Sequence, residues 1–163
     1  MAPFYQHLQS NQLPTDQLLV VMSESSRNDD VDTGRSTGCF LKFYMGGVID
    51  HSSNMPGPVA LSSAKAEYTQ ACVATMALMH IAMVINNFEL LEEDHMRTGI
   101  PLILDSSSAI AIGNSFKDTR HTRHIMRRFH FVRSMIDKNF IIPLWITTKG
   151  QLADLGTKIL GTD

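Results

Sequence analysis

Two cysteines, Cys39 and Cys72, are all that the 163 residues contain. Their spacing suggests neither a disulfide framework nor a zinc site, so both are read as reduced core residues of an intracellular protein. A secretory signal is missing as well, because the opening stretch MAPFYQHLQSNQ has no basic segment followed by an apolar one. The longest apolar run, Ala71 to Ile85, covers 15 residues and is interrupted by Thr75 and His80. A membrane span needs about 20, so the run reads as a buried helix, its methionines filling core space. There is no internal repeat and no low-complexity segment. The net charge of -2 gives no global bias toward nucleic acid or membrane. With 44% hydrophobic residues the chain can bury one core. A single α/β domain is expected over residues 17–160, with a lead-in segment at 1–16 and a short tail at 161–163.

The balanced total hides a local excess. Five of the 14 basic residues, Arg120, Arg123, Arg127, Arg128 and Arg133, fall in one 14-residue stretch without an acid, together with His121, His124 and His130. The stretch predicts a helix over Thr122 to Lys138 with Ile125, Phe129, Val132 and Ile136 as its apolar stripe. From the residues alone, its basic side is as compatible with a solvated face as with a phosphate grip. The histidines lack a companion cluster of Cys or His and do not make a zinc site.

Around this helix the pattern predicts further elements. QLLVVMSES reads as a strand ending at Ser and Glu, and CFLKFYMGGVIDHSS as two strands meeting at Gly46-Gly47. NMPGP ends the sheet segment. A long helix follows from an N-cap at Ser62 or Ser63 to about Leu91. Leu102 to Leu104 form a buried strand, followed by a short helix ending near Gly113. FIIPLWITT is a last strand, and GQLADLGTKIL a short amphipathic helix. A hairpin meander followed by crossovers implies one mixed five-stranded sheet, its first three strands antiparallel, with helices packed on it.

Four carboxylates fall at element ends: Glu24 after the first strand, Glu67 early in the long helix, Asp105 after the fourth strand and Asp154 in the last helix. A lone glutamate at a helix start is usually a charge that complements the helix dipole. Four acids brought together would repel one another unless a cation sat among them, and Mg²⁺ takes such oxygen ligands.

The segments GRSTGCFLKFYMGG, VALSSAKAEY, LILDSSSAIAI, DTRHTRHIMRRFHFVR and TTKGQLADLGTK, in this order, resemble the ribonuclease H region of copia-type (Ty1/copia) LTR retrotransposon polyproteins, over about Leu18 to Leu160. The resemblance implies a ribonuclease H-like fold that cuts the RNA strand of an RNA:DNA hybrid during reverse transcription, with two Mg²⁺ ions, or Mn²⁺ as substitute. It places the catalytic and metal-holding carboxylates on Glu24, Glu67, Asp105 and Asp154. It also implies 2′-hydroxyl contacts near Ser25, Ser107 and Asn114 and backbone contacts from Arg123, Arg127 and Arg128. A reverse transcriptase polymerase domain would be the neighbour, and the cytoplasmic element particle or the nucleus the location. The chain departs from its relatives in several places, among them TKIL, with Ile159, for the usual TKPL, and TTKGQLAD without the His that many cellular ribonucleases H carry before the last Asp. Glu24 stands where they carry Asp, Arg27 where they carry Trp, and Lys65 where they carry an acid. The extra methylene of Glu24 opens a second reading, a catalytically weakened or inactive nucleic-acid-binding module derived from the enzyme.

Overall fold

The computed structural model describes residues 6–7, 18–26, 32–55, 59, 62–90, 99–105 and 123–158. Its strands are β1 (Gln6–His7), β2 (Leu19–Ser25), β3 (Gly38–Tyr44), β4 (Gly47–Asn54), β5 (Ile100–Leu104) and β6 (Ile141–Trp145). The helices are α1 (Ser63–Asn87) and α2 (Arg123–Asp137), and two 3-10 turns follow at Thr148–Gly150 and Leu152–Gly156. One sheet runs in the order β1-β6-β5-β2-β3-β4. β2, β3 and β4 are antiparallel neighbours, whereas β5 pairs parallel with both β2 and β6. The five expected strands are present in the expected sense. The sixth, β1, lies in what the sequence suggests is only a lead-in, and its two residues pair with Leu144 and Trp145 on the open edge of β6.

The sheet buries both faces by strand alternation. Leu19 and Val21 of β2, with Leu102 and Leu104 of β5, pack against Ala71, Ala74, Leu78 and Ala82 of α1 and Val132 and Met135 of α2. The residues between them, Val20, Met22 and Ile103, meet Leu144, Ile146 and Ala153 on the other face. Helix α1 is long and apolar enough to cross a membrane by length and composition alone, but half of that apolar window is buried inside this fold. The remaining α2 stripe residues, Ile125 and Phe129, have side chains outside the described set.

Local chemistry sets the element ends. Ser62 caps α1, its hydroxyl accepting from the Lys65 N–H at 3.3 Å. The helix stops at Asn87, four residues before the expected end. Glu89 takes the left-handed conformation at φ 56, its N–H bonds to the Asn86 carbonyl, and the Leu90 N–H reaches back to Ile85. This is a Schellman stop with glutamate in the place usually held by glycine, so no Gly or Pro in the sequence marks it. α2 ends the same way through Asn139, at φ 54.

Prolines 101 and 143 sit inside strands. The Ile100 N–H goes to Phe140 and the Ile146 N–H to Leu104, so even-numbered residues turn their donors across the β5–β6 pair. Pro101 therefore points its missing donor toward β2, where pairing begins only at Leu102. Pro143 points its own toward β1, whose pairing begins only at Leu144. The last expected helix is instead the pair of 3-10 turns, and the short helix expected before Gly113 lies outside the described residues.

The β3–β4 hairpin turns at Met45–Gly46 rather than at Gly46–Gly47, with positive φ at both residues (51 and 81). Two positive φ values match strand twist in a two-residue loop, but a non-glycine residue there costs roughly 1–2 kcal/mol, asparagine less. Met45 is 72% exposed and has little packing to lose. Met45→Asn should therefore raise unfolding free energy by up to about 1 kcal/mol, measured by urea titration. A loss of stability would contradict this turn.

Candidate metal centre

β2 and β5 run parallel side by side, Met22 level with Ile103. Two residues further, Glu24 sits near the end of β2 and Asp105 directly follows β5. Because both strands point the same way, both carboxylates arrive at the same end of the sheet. Helix α1 brings Glu67, just past its first turn, to that end. One ligand oxygen from each of Glu24, Glu67 and Asp105 lies within 4.8 Å of the others.

Glu24 is buried, and Glu67 and Asp105 are half-buried. Burial, then the hydrogen bond it shares with Asp105 and the Asp105 charge, push the Glu24 pKa from the usual 4.5 up to about 9. Glu67 adds to the rise, and the Ser25 backbone N–H opposes it. The Oε2 atom of Glu24 is buried without a hydrogen-bond partner. A crowded, all-oxygen donor set that leaves Glu24 Oε2 without a partner fits a hard divalent cation, which would supply the missing positive charge.

The strand ends are held from β6 and the turns after it. The Trp145 indole N–H donates to the Asp105 carbonyl at 2.9 Å, and the Thr148 hydroxyl donates to Asp105 Oδ2 at 3.1 Å. Gln151 is buried, and its Nε2 donates to the Ser23 carbonyl, next to Glu24, at 3.1 Å. Sequence reasoning missed these three. They lie in or beside the TTKGQLAD stretch that carried the resemblance, but no residue-type rule marks a threonine as a carboxylate's partner.

Asp154 is placed differently. Its 3-10 turn is docked on β3, with Gly156 so close to Cys39 that a side chain there would collide with the sulfur. The Ser53 hydroxyl donates to the Gly156 carbonyl at 2.6 Å. The Asp154 carboxylate is paired with Lys158 and is not in the three-carboxylate group. Of the four acids expected to converge, three share this group and the fourth is paired with Lys158.

Among the residues expected at a nucleic-acid interface, Ser25 is buried and its hydroxyl donates to the Ser26 and Thr37 carbonyls. Arg127 is exposed and Arg128 half-buried on α2, the latter near enough to Cys72 to oppose the burial that raises its thiol pKa. Arg123 opens α2, its side chain not described, and Arg27, Ser107 and Asn114 lie outside the described residues.

No family model matches the chain. It is 27% identical over 146 residues to the retrovirus-related Pol polyprotein from transposon TNT 1-94 of Nicotiana tabacum, which covers 90% of this chain and 11% of that polyprotein. The chain thus spans about a tenth of the relative's length. Among solved structures it is similar to LC11-RNase H1 in complex with an RNA/DNA hybrid, at TM-score 0.58 and 12% identity, covering 84% of this chain and 91% of that one. The N-terminal RNase H domain of a Mycobacterium tuberculosis protein, solved as a fusion with maltose-binding protein, gives TM-score 0.57 and 11% identity over 84% and 93% of the two chains. RNase H1 from the halophilic archaeon Halobacterium salinarum gives 0.53 and 14% over 84% and 92%. The fold is that of ribonuclease H. Sequence and fold together bear out the resemblance to the ribonuclease H region of copia-type polyproteins.

The Glu24 environment has a consequence for the metal-free protein. Between the unfolded value of 4.5 and the folded value of about 9, the folded state keeps a proton that the unfolded state releases, so Glu24 lowers stability as pH rises through that window. With chelator present, Glu24→Gln should match the parent near pH 5 and exceed it near pH 8.5 in urea unfolding. Parallel stability curves would show that Glu24 does not hold a proton in the fold.

Proposed function

We propose that this chain is a divalent-cation-dependent ribonuclease H that hydrolyses the RNA strand of an RNA:DNA hybrid in retrotransposon reverse transcription, beside a polymerase domain of the same polyprotein. The observation that carries the proposal is the meeting of Glu24, Glu67 and Asp105 within 4.8 Å at the shared end of two parallel strands of a ribonuclease H fold. Two Mg²⁺ ions held there would supply an activated water on one side of a phosphodiester and stabilise the leaving 3′ oxygen on the other.

The residues divide the remaining work. Glu24 and Asp105, already sharing a hydrogen bond, are the pair suited to hold both ions, and Glu67 would serve one. Asp154, paired with Lys158, would be the fourth carboxylate open to a cation. Loading the site requires the Glu24 carboxyl to give up its proton. Arg127, with Arg123 and Arg128 on the same helix, grips phosphates without regard to sequence. Ser107, Asn114 and the backbone near Ser25 contact 2′-hydroxyls.

A second reading, a hybrid-binding module with a weakened centre, is favoured by one observation: Glu24 brings a longer side chain to a site that requires close placement. Misplacement of a reacting constellation by 1 Å costs about a hundredfold. Mg²⁺ also demands near-ideal octahedral geometry, whereas Mn²⁺ sits higher in the usual affinity order.

Cleavage of a labelled RNA:DNA hybrid tests both readings. The chain should cut weakly in Mg²⁺ and better in Mn²⁺, and Glu24→Asp should raise the Mg²⁺ rate about tenfold or more. Asp105→Asn should abolish cleavage while hybrid binding persists. Retained cleavage in that variant would remove Asp105 from the mechanism, and an unchanged rate in Glu24→Asp would show that the longer side chain does not limit it. Replacing Arg127 and Arg128 with Ala should weaken hybrid binding and reduce its log-log salt slope by up to about 0.9 per lost phosphate contact. An unchanged slope would assign the two arginines a structural role.

A further inference from the structure

We infer that Thr148 is a positioning residue for Asp105, fixing which carboxylate oxygen that side chain offers to a cation; the inference rests on the metal-dependent reading above. Asp105 stands where β5 ends, and a side chain at a strand end has freedom that a ligand should not have. Its main chain is already held. The Leu104 carbonyl accepts from the Ile146 N–H at 2.9 Å and the Asp105 carbonyl from the Trp145 indole at 2.9 Å. Those bonds fix the Cα but leave the carboxylate free to rotate. The Thr148 hydroxyl, 3.1 Å from Oδ2, restricts that rotation by engaging one oxygen, beside the hydrogen bond that the Asp105 side chain shares with Glu24.

The rest of the turn makes this contact dependable. Thr148 opens the 3-10 turn Thr148–Gly150, which is closed by the Gly150 N–H bonding to Thr147 and the Gln151 N–H bonding to Thr148. Gln151 then ties the turn to the Ser23 carbonyl beside Glu24. One short segment therefore holds both strands that carry Glu24 and Asp105, and Thr148 is the part of it that touches a carboxylate directly. Groups that hold a metal's ligands typically matter about tenfold to a hundredfold in affinity or activity. Thr148 is itself exposed, so losing its hydroxyl should leave the fold intact.

The test compares Thr148→Val, which keeps the shape and loses the hydroxyl, with Thr148→Ser, which keeps the hydroxyl. Mn²⁺ affinity is measured by calorimetry on the full chain, and thermal unfolding is followed in chelator. We expect Thr148→Val to bind Mn²⁺ about tenfold to a hundredfold more weakly with an unchanged melting temperature, and Thr148→Ser to bind within about threefold of the parent. Equal affinities in parent and Thr148→Val would overturn the inference alone. Equal losses in the Val and Ser variants would overturn it too, since Thr148→Ser keeps the hydroxyl. A parent chain that binds no Mn²⁺ would overturn the proposed function together with this inference.

Discussion

Three carboxylates drawn from separate parts of the chain share one small volume, and their mutual repulsion is the constraint around which the rest of the structure is arranged. Coulomb repulsion between like charges a few ångströms apart grows as water is excluded. Glu24 is the most buried of the three, so the metal-free protein relieves the repulsion by keeping a proton on it. A cation would relieve the same repulsion from outside the polypeptide. On the proposed function the site would exchange that proton for a metal, and the exchange would connect its electrostatics to its chemistry.

The fold holds the carboxylates against that repulsion with apolar packing on both sides of the sheet. β2 and β5 are fully buried strands, clamped between α1 and α2 on one face and the cluster around Ile146 and Ala153 on the other. The strength of this packing explains the composition of α1. Its apolar length, which on its own suggests a membrane span, serves to press the start of the helix, and so Glu67, onto the ends of the two parallel strands. Polar groups accompany it even here. Gln70 is fully buried one turn beyond Glu67, its amide against Gly38, where any side chain would collide with it.

Much of this was legible in the sequence, and the reasons differ from element to element. The strand carrying Glu24 showed itself by an apolar run ending in polar residues, and α1 by its capping serine and apolar length. The carboxylates stood out because each closes or opens an element. What could not be read depended on contacts between distant residues. Nothing near Asp154 in the chain shows that its turn docks against Cys39, and although its partner Lys158 lies only four residues on, only the fold sets its carboxylate apart from the other three. Thr148 and Gln151 are ordinary polar residues until β6 is placed next to β5. The end of α1 was hidden for a local reason, since Glu89 adopts a conformation that glycine usually signals. The prolines of β5 and β6 look like strand breakers until the direction of each missing donor is known.

On the proposed function, cation binding is coupled to the Glu24 proton, and calorimetry measures that coupling directly. Titrating Mn²⁺ into the protein near pH 7.5, in two buffers of different ionisation enthalpy, should show release of about one proton per protein, as expected when a protonated ligand must ionise to bind metal. Glu24→Gln should release none. Binding with no difference between the two buffers, or no binding at all, would contradict it.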